Sequence, residues 1–415
     1  MKQSFILLAF CLSLSFCTKS SSSADGEKSD IIQEETKPST ETPTSDLTFI
    51  GGDAHPIITP IILGYFPSWS ENYTSTGKNS KLREIPSFVN HVFLSFAKPN
   101  LRYTKGSYNL SKTGIEVPYS GCDLKESVAV LRKKGINVIL SVGGATYWQD
   151  ASSYDIDYTQ IKDLVDDIGF AGIDWDFEPE GSFTNIGNAE NTAHFIAFFT
   201  ESRALMPKSE GYLLACAPAG VGALGGQIND DPSSPFRHEN RNTLTGENDE
   251  KLFQGTLESN GINLFGFSAT GHMIPVLKAV GDKIDLIAFQ GYNTGASTNR
   301  SIMYDAYAYY ANQYGFTIAA GVHYPEEPWG PFYTYTHQNV TELSEYILNH
   351  ADRKDANDGI MIWQMLLEGA NSSAYSYLNT ASKVLNGSET RIAIEEANDF
   401  SSSPYSGEEI ECTVR

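Results

Sequence analysis

The sequence is poor in positive charge, in cysteine and in long hydrophobic runs. Its 415 residues include 29 Lys and Arg against 51 Asp and Glu, which gives a formal net charge of -22 at pH 7. Such an acidic chain is poorly suited to binding nucleic acid or an anionic membrane surface as its main partner. A neutral substrate such as a polysaccharide is compatible with this charge.

Metal-binding patterns are missing as well. The five cysteines and eight histidines are not clustered, and neither CxxC nor HExxH occurs, so we expect no metal site and no cofactor. After Cys17 only Cys122, Cys216 and Cys412 remain, and this odd number does not imply a disulfide framework. No Gly-rich phosphate loop follows the first predicted strand, which counts against a dinucleotide-binding fold.

The N-terminus has the pattern of a secretory signal. Lys2 supplies the positive charge, and the apolar run from Phe5 to Phe16 is too short for a membrane span. The next residue is Cys17, and residues 14–17 are similar to a bacterial lipobox, although Phe16 is unusually bulky for its position. We therefore expect residues 1–17 to be a signal, and the protein to be secreted or to be an outer-surface lipoprotein anchored through Cys17.

Composition predicts three further regions. Residues 18–50 are rich in Ser, Thr, Glu, Lys and Pro and are expected to be a disordered linker. Residues 55–387 have the alternating pattern of a folded domain. Residues 388–415 are acidic and rich in Ser, and we expect this tail to be partly disordered. The expected state is a monomer.

Short apolar runs alternate with amphipathic stretches throughout the folded domain. Eight strand–helix repeats in roughly 330 residues predict an α/β fold of the (β/α)8 barrel type, with a doubly wound open sheet as the alternative. Two long irregular segments, Leu101–Ser120 and Gly220–Phe267, follow the second and fifth strands and are expected to form walls of the active face. The predicted strands are Ile61–Tyr65, His91–Phe96, Val138–Val142, Gly172–Phe177, Tyr212–Ala217, Ile284–Phe289, Thr317–Val322 and Gly359–Trp363. The predicted helices include Leu124–Lys134, Thr159–Asp167, Thr192–Leu205, His272–Val280, Ser301–Gln313 and Thr341–Asn349.

Residues 172–178 have the most unusual pattern in the chain, because acidic and large apolar residues alternate in Gly-Ile-Asp-Trp-Asp-Phe-Glu. The side chains of a strand repeat every two residues, so Asp174, Asp176 and Glu178 share one face. Like charges in a cleft raise at least one carboxyl pKa, as a general acid near neutral pH requires. A solvated edge strand is the alternative, but the apolar opposite face favours a parallel strand covered by helices.

Tryptophans mark the ends of several predicted strands. Trp175 is expected in the core, whereas the other four follow strands one, three, seven and eight: Trp69, Trp148, Trp329 and Trp363. In a barrel these strand ends surround one opening. Flat rings at an opening suit the apolar faces of sugars, so we interpret them as part of a carbohydrate site.

Four motifs, in order, resemble those of glycoside hydrolase family 18, which includes chitinases and endo-β-N-acetylglucosaminidases. Residues 171–178 match its signature Asp-Gly-x-Asp-x-Asp-x-Glu except that Ala171 replaces the first Asp. Residues 138–144 resemble the Ser-x-Gly-Gly motif of the third strand, and residues 290–293 resemble the Gln-x-Tyr-Asn motif of the sixth. Residues 359–363 resemble the eighth strand with its terminal Trp, and the first strand is similar too, so the resemblance spans residues 61–364.

This resemblance implies a mechanism that departs from the two-carboxylate scheme of most glycosidases. Glu178 would be the general acid that protonates the leaving oxygen, and the acetamido oxygen of the substrate would attack C1 to form an oxazolinium ion. Asp176 would orient the acetamido group and stabilise its charge, and Asp174 would share a proton with Asp176. Tyr292 would hydrogen-bond the acetamido group from the opposite side.

The resemblance also implies a set of substrate-binding residues. Trp363 would form the floor under the sugar, and Ser141 would support the acids from the neighbouring strand. Gly143 and Gly144 would leave room for the sugar, or would serve only a tight turn. The full predicted set is Tyr65, Trp69, Ser141, Gly143, Gly144, Trp148, Gln290, Asn293 and Trp363.

Three functions fit these observations. The leading prediction is a secreted hydrolase that cleaves β-1,4-linked N-acetylglucosamine polymers, with chitin or another GlcNAc-containing glycan as its partner. An endo-β-N-acetylglucosaminidase acting on N-glycans is the second. The third is a non-catalytic carbohydrate-binding relative, which the presence of Glu178 and Asp176 disfavours.

Overall fold

Eight parallel strands form a closed barrel in chain order, from β1 to β8. Each strand pairs with the next, and β8 pairs with β1, so the predicted (β/α)8 barrel is confirmed and the open sheet is excluded. The strands are Ile62–Pro67 (β1), His91–Ala97 (β2), Asn137–Gly143 (β3), Gly172–Asp176 (β4), Leu213–Cys216 (β5), Leu286–Phe289 (β6), Thr317–His323 (β7) and Gly359–Trp363 (β8).

This computed structural model describes residues 57–58, 60–71, 80–181, 183, 185–224, 269–294, 300–325, 333–353 and 356–402. All of them belong to one unit, Ser45–Arg415. The predicted signal and linker, most of the segment after β5, and Trp329 lie outside the described residues. Within the described ranges, no helix is both long enough and apolar enough to cross a membrane.

Helices cover the outside of the barrel, and polar side chains begin most of them. Ser120 caps the first helix and forms a capping box with Asp123, and Asp157 caps the second, which ends at Gly169 with a positive φ of 85°. The helices in the described residues are Gly121–Lys133 (α1), Tyr158–Ile168 (α2), Ala189–Leu205 (α3), Met273–Val280 (α4), Arg300–Tyr314 (α5), His337–Leu348 (α6), Ala374–Leu385 (α7) and Thr390–Glu395 (α8).

Two features of the chain go beyond these expectations. The predicted tail begins with an ordered segment, because α8 buries Ala393 and Asn379 of α7 donates hydrogen bonds to the carbonyls of Glu396 and Ala397. Composition alone missed this helix, since it adds no strand–helix repeat. The odd number of cysteines was also misleading, because Cys122 is disulfide-bonded while Cys216 is buried and free.

The strands are buried almost throughout, because side chains fill the barrel interior and helices cover its outer face. The register between β3 and β4 places Ser141 beside Asp174 and Gly143 beside Asp176. The carboxyl ends of all the strands lie at one end of the barrel. The acids of β4 therefore lie near residues that follow β1, β2, β6 and β8.

Candidate active site

Asp174 and Asp176 lie on β4, and Glu178 follows two residues after the strand ends. Both aspartates are buried, whereas Glu178 is partly exposed. Trp175 and Phe177, between the acids, pack outward against Phe198 of α3, with ring centroids 4.7 and 5.1 Å from it. The alternation predicted from the sequence is thus present, with the acids on one face and the aromatic anchors on the other.

The deepest acid, Asp174, is held by two neighbouring strands. Its Oδ2 accepts hydrogen bonds from the Ser141 hydroxyl at 2.7 Å and from the Tyr65 hydroxyl at 2.9 Å. Burial raises the pKa of Asp174 to about 7, while these two hydrogen bonds act to lower it. Ser141 and Tyr65 therefore both hold Asp174 in place, and neither residue lines the cavity.

Gln290, just after β6, connects the outer two acids. Its side-chain nitrogen lies 3.2 Å from Asp176 Oδ1, 3.2 Å from Glu178 Oε1 and 3.3 Å from the carbonyl oxygen of Ala217. One amide group thus fixes the positions of both carboxyls. The sequence predicted Gln290 near the substrate, and the structure places it directly against the acids.

The pKa values of the outer acids are raised as well. Burial raises the pKa of Glu178 to about 7, and hydrogen bonds to Gln290 and Asp176 act in the opposite direction. The pKa of Asp176 is raised well above its ordinary value by burial and by the charges of Glu178 and Asp174. Because each charge affects the others, the three carboxyls titrate as a coupled set. A protonated carboxyl is therefore present near neutral pH, as general acid catalysis requires.

Tyr292 lies on the other side of the acids, on the segment that follows β6. It is buried except for 6% of its surface, and its side chain lines the same cavity as Asp176 and Glu178. Burial, followed by the charges of Asp176 and Glu178, raises the pKa of Tyr292 well above its ordinary value. The phenol therefore keeps its proton and can donate a hydrogen bond to a group in the cavity.

An aromatic wall faces the acids. The Trp363 ring, at the end of β8, stacks on Phe96 with centroids 5.7 Å apart and lies 5.2 Å from the Tyr65 ring. Trp69 also stacks on Phe96, with centroids 5.8 Å apart, lies 6.3 Å from Trp363 and is 41% exposed. Such rings present flat apolar faces to a ligand.

These groups surround a cavity of about 350 Å³, a size typical of small-molecule sites. Its lining includes Trp69, Phe96, Asp176, Glu178, Gln290, Tyr292, Asn293 and Trp363. The Asn293 side chain lines the cavity, and its buried Oδ1 atom has no hydrogen-bond partner among the described residues.

Sequence reasoning missed several residues of the cavity wall. Phe96 is the last residue but one of β2, so the search for tryptophans at strand ends would have found it if it had included all aromatic residues. Gly114 and Glu116 lie on the segment Leu101–Ser120, and Tyr147 lies on the segment after β3. Irregular segments have no periodic pattern, so only the position of this segment after a strand pointed to the active face.

Besides Tyr65 and Ser141, three predicted substrate-binding residues do not line the cavity. Trp148 is only 1% exposed, packs against Phe198 and Phe177, and donates a hydrogen bond to the Asp176 carbonyl oxygen at 2.6 Å. A Cβ at Gly143 would lie 2.2 Å from that same carbonyl oxygen, and a Cβ at Gly144 would lie 2.5 Å from the Phe96 ring. These glycines therefore leave room for protein atoms rather than for a sugar, and their φ angles of 119° and 71° suit the turn.

Comparison with known proteins finds a family model, sequences and solved structures that are similar to this chain. Residues 61–229 match the model of Glycosyl hydrolases family 18. The chain is 28% identical to a chitinase of Plasmodium falciparum over 326 residues, which cover 75% of this chain and 82% of that protein. It is 24% identical to Chitinase D of Niallia circulans over 80% of this chain but only 62% of that protein. A crystal structure of a GH18 chitinase from Pseudoalteromonas aurantia matches with a TM-score of 0.44 and 19% identity, covering 73% of this chain and 93% of that one. The family match over residues 61–229 and the similarity to chitinases support assignment of the chain to glycoside hydrolase family 18 as a chitinase-like hydrolase.

Proposed function

We propose that this protein hydrolyses β-1,4-linked N-acetylglucosamine polymers of the chitin type by a retaining, substrate-assisted mechanism. The observation that carries the proposal is the joint attachment of Asp176 and Glu178 to Gln290, with Tyr292 on the same cavity. This arrangement provides one proton donor, one charge partner and one hydrogen-bond donor around a single point. The relatives named as chitinases support the polymer class.

Glu178 is the general acid in this proposal. With its pKa at about 7 it holds a proton near neutral pH, and its partial exposure at the opening lets it reach a glycosidic oxygen. Transfer of that proton releases the leaving sugar. The resulting Glu178 carboxylate then removes a proton from the water that opens the intermediate.

The substrate itself supplies the nucleophile. Its acetamido oxygen attacks C1 and forms an oxazolinium ion. Because this oxygen belongs to the same sugar as C1, its effective concentration at C1 is high. Asp176 accepts a hydrogen bond from the acetamido N–H and stabilises the positive charge of the oxazolinium ion. The Tyr292 hydroxyl donates a hydrogen bond to the acetamido oxygen. Attack by water from the face that the leaving group vacated restores the β configuration.

A flat sugar face packs on Trp363 in this reaction. Trp69 and Phe96 extend the same wall, so a polymer gains apolar contact on both sides of the cleaved bond. The Asn293 side chain provides a polar contact on the Tyr292 side of the cavity.

Product stereochemistry and substrate scope test the proposal together. We expect proton NMR to show a β anomer as the first product from chitin oligosaccharides, and we expect fully deacetylated chitosan to resist cleavage. Asp176→Asn should lower kcat on chitin oligosaccharides by about 10² or more, because the oxazolinium loses its charge partner. Glu116 also lines the cavity. An α product would indicate direct attack by a water that a second carboxylate such as Glu116 activates, and efficient cleavage of deacetylated chitosan to a β product would indicate that a carboxylate replaces the acetamido group as nucleophile.

The proposed site of action is outside the cytoplasm. The signal-like residues 1–17 support secretion or a lipid anchor at Cys17, and the disulfide bond of Cys122 is typical of an oxidising compartment. A glycoprotein deglycosylation assay, run beside the chitin assay, tests the alternative that the protein acts on N-glycans. Release of N-glycans without cleavage of chitin oligosaccharides would show that the substrate is a glycoprotein and not a chitin-type polymer.

A further inference from the structure

A second cavity, of about 650 Å³, adjoins the one that holds the acids. The two cavities share Gly114, Glu116 and Tyr147 in their walls. Most of the second cavity is formed by the segment between β2 and α1, which contributes Tyr108, Asn109, Ser111 and Tyr119. A polymer bound in the first cavity can therefore extend into the second.

The shared wall is built by specific contacts. Lys98 N donates a hydrogen bond to the Thr113 carbonyl oxygen at 2.8 Å, and the Tyr147 hydroxyl donates to the Gly114 carbonyl oxygen at 3.2 Å. Glu116 N donates to the Ser68 hydroxyl oxygen at 3.1 Å. Gly114 has a φ of 94°, and a Cβ there would lie 2.7 Å from Lys98 N. The backbone that carries Glu116 is therefore held by the residues that directly follow β1 and β2 and by the segment after β3.

All the charged side chains that line the first cavity in the described residues are acidic. Its described lining contains Glu116, Asp176 and Glu178 and no Lys, Arg or His. Glu116 is exposed, and its carboxylate makes no hydrogen bond or ion pair with any side chain in the described part of the chain. Glu116 and Tyr147 both line the shared wall, and the Glu116 charge adds to the effect of burial in raising the pKa of Tyr147.

We propose that the wall shared by the two cavities is a subsite for a sugar unit with a free ammonium group, and that Glu116 is its counter-ion. The substrate class is then partly N-deacetylated chitin, and this inference rests on the proposed function. An ammonium group donates charge-assisted hydrogen bonds to a carboxylate, whereas an anionic sugar is repelled here. Glu116 is a specificity-determining residue in this proposal.

Two features limit where the free amine can lie. The unit at the point of cleavage keeps its acetamido group, because that group supplies the nucleophile. Lys98 lines the second cavity but not the first, and its positive charge disfavours an ammonium group deeper in the second cavity. The amine is therefore expected on a unit adjacent to the reacting one, at Glu116.

The test compares two chitin-type oligosaccharides of equal length, one fully acetylated and one with a single free amine next to the cleaved unit. The measured quantity is the ratio of kcat/KM for the second substrate to that for the first, at mildly acidic pH. We expect Glu116→Gln to lower this ratio by about two- to fivefold, the factor that corresponds to an exposed ion pair. Added NaCl should lower the wild-type ratio towards that of the variant.

Glu342→Gln is the matched control, because Glu342 is an exposed acid of α6 that lines neither cavity. We expect it to leave the ratio and its salt dependence unchanged. Equal ratios in wild type and Glu116→Gln would overturn the subsite. An equal fall in Glu342→Gln would do the same, by showing that net charge alone causes the effect.

A binding measurement separates this inference from the proposed function. Glu178→Gln and the double variant Glu178→Gln, Glu116→Gln are titrated with both oligosaccharides by calorimetry. Tighter binding of the amine-bearing oligosaccharide only when Glu116 is present supports the subsite, even if wild type cleaves neither oligosaccharide and the proposed function fails. Cleavage of acetylated chitin with no effect of Glu116 on binding retains the function and rejects the subsite.

Discussion

Replacement of Glu178 by Gln is expected to make the protein inactive and, near neutral pH, more stable. The pKa of Glu178 rises from 4.5 to about 7 because burial disfavours its ionised form. Each pKa unit corresponds to 1.36 kcal/mol, so ionising this group costs the folded state about 3 kcal/mol. Solvent at the opening screens part of this cost, and we expect Gln to increase the free energy of unfolding by about 1–3 kcal/mol at pH 8.

The sign of this effect depends on pH. The folded state holds the Glu178 proton more tightly than the unfolded chain does, so the favourable contribution is complete below pH 4.5 and is lost as the pH rises through about 7. Gln resembles the protonated acid at every pH. Its advantage should therefore be present at pH 8 and should largely disappear at pH 4.5. It can also keep the contact with Gln290, because its carbonyl oxygen still accepts a hydrogen bond.

Urea unfolding at the two pH values, together with kcat on chitin oligosaccharides, measures both effects. We expect kcat to fall by about 10² or more, the scale for a general acid, while the oligosaccharide still binds. Glu342→Gln on the outer face of α6 serves as the control for loss of one negative charge. A loss of stability at pH 8, or an equal gain at both pH values, would refute the reasoning, and near-normal turnover would show that Glu178 is not the acid.

Two further predictions concern the aromatic wall and the N-terminus. Trp363→Ala should raise KM and lower kcat for chitin oligosaccharides, because aromatic contacts of this kind contribute about 0.5–1.5 kcal/mol beyond burial. The circular dichroism spectrum should stay unchanged. An unfolded variant would show that Trp363 belongs to the core instead. Cys17→Ser should move the protein from the detergent phase to the aqueous phase if Cys17 is lipidated, and a wild-type protein already in the aqueous phase, with its N-terminus beyond Cys17, would exclude the anchor.

The barrel could be predicted from the sequence because each strand is a short apolar run between helical patterns. The predicted Gly359–Trp363 agrees with β8 at both ends, and the other strands differ from prediction by at most a few residues. The acidic row was equally accessible, because a period of two residues places Asp174 and Asp176 on one face whatever the details of packing. Both results depend only on local periodicity.

Side-chain direction after a strand end could not be predicted in the same way. Trp69 and Trp148 both follow strand ends, yet one lies at the opening and the other is buried between the barrel and α3. The turn at Gly143 and Gly144 sends the chain towards the helices, and a turn of this kind has no periodic signal. Glu116 was missed for the same reason, since contacts distant in sequence decide where its segment lies.

The missing first Asp of the motif can be understood from the position of Ala171. This residue precedes β4, and it is already part of the sheet, because its N–H donates to the Val138 carbonyl oxygen at 2.7 Å and its own carbonyl oxygen accepts from Leu213 N at 2.9 Å. It lies three residues before Asp174, about 10 Å along a strand. Ala171 is fully buried and distant from the cavity, so the change does not alter any group that faces a substrate.

Support for the acids comes instead from the neighbouring strands. Tyr65 on β1 and Ser141 on β3 both donate to the same oxygen of Asp174, while Gln290 after β6 holds Asp176 and Glu178. Each of these donors favours the ionised form of a carboxyl whose burial favours the protonated form. This opposition keeps the pKa values of Asp174 and Glu178 at about 7, within the range where a carboxyl can both give and accept a proton. The tuning of the acids therefore depends on contacts across the barrel, and it does not require an acid at position 171.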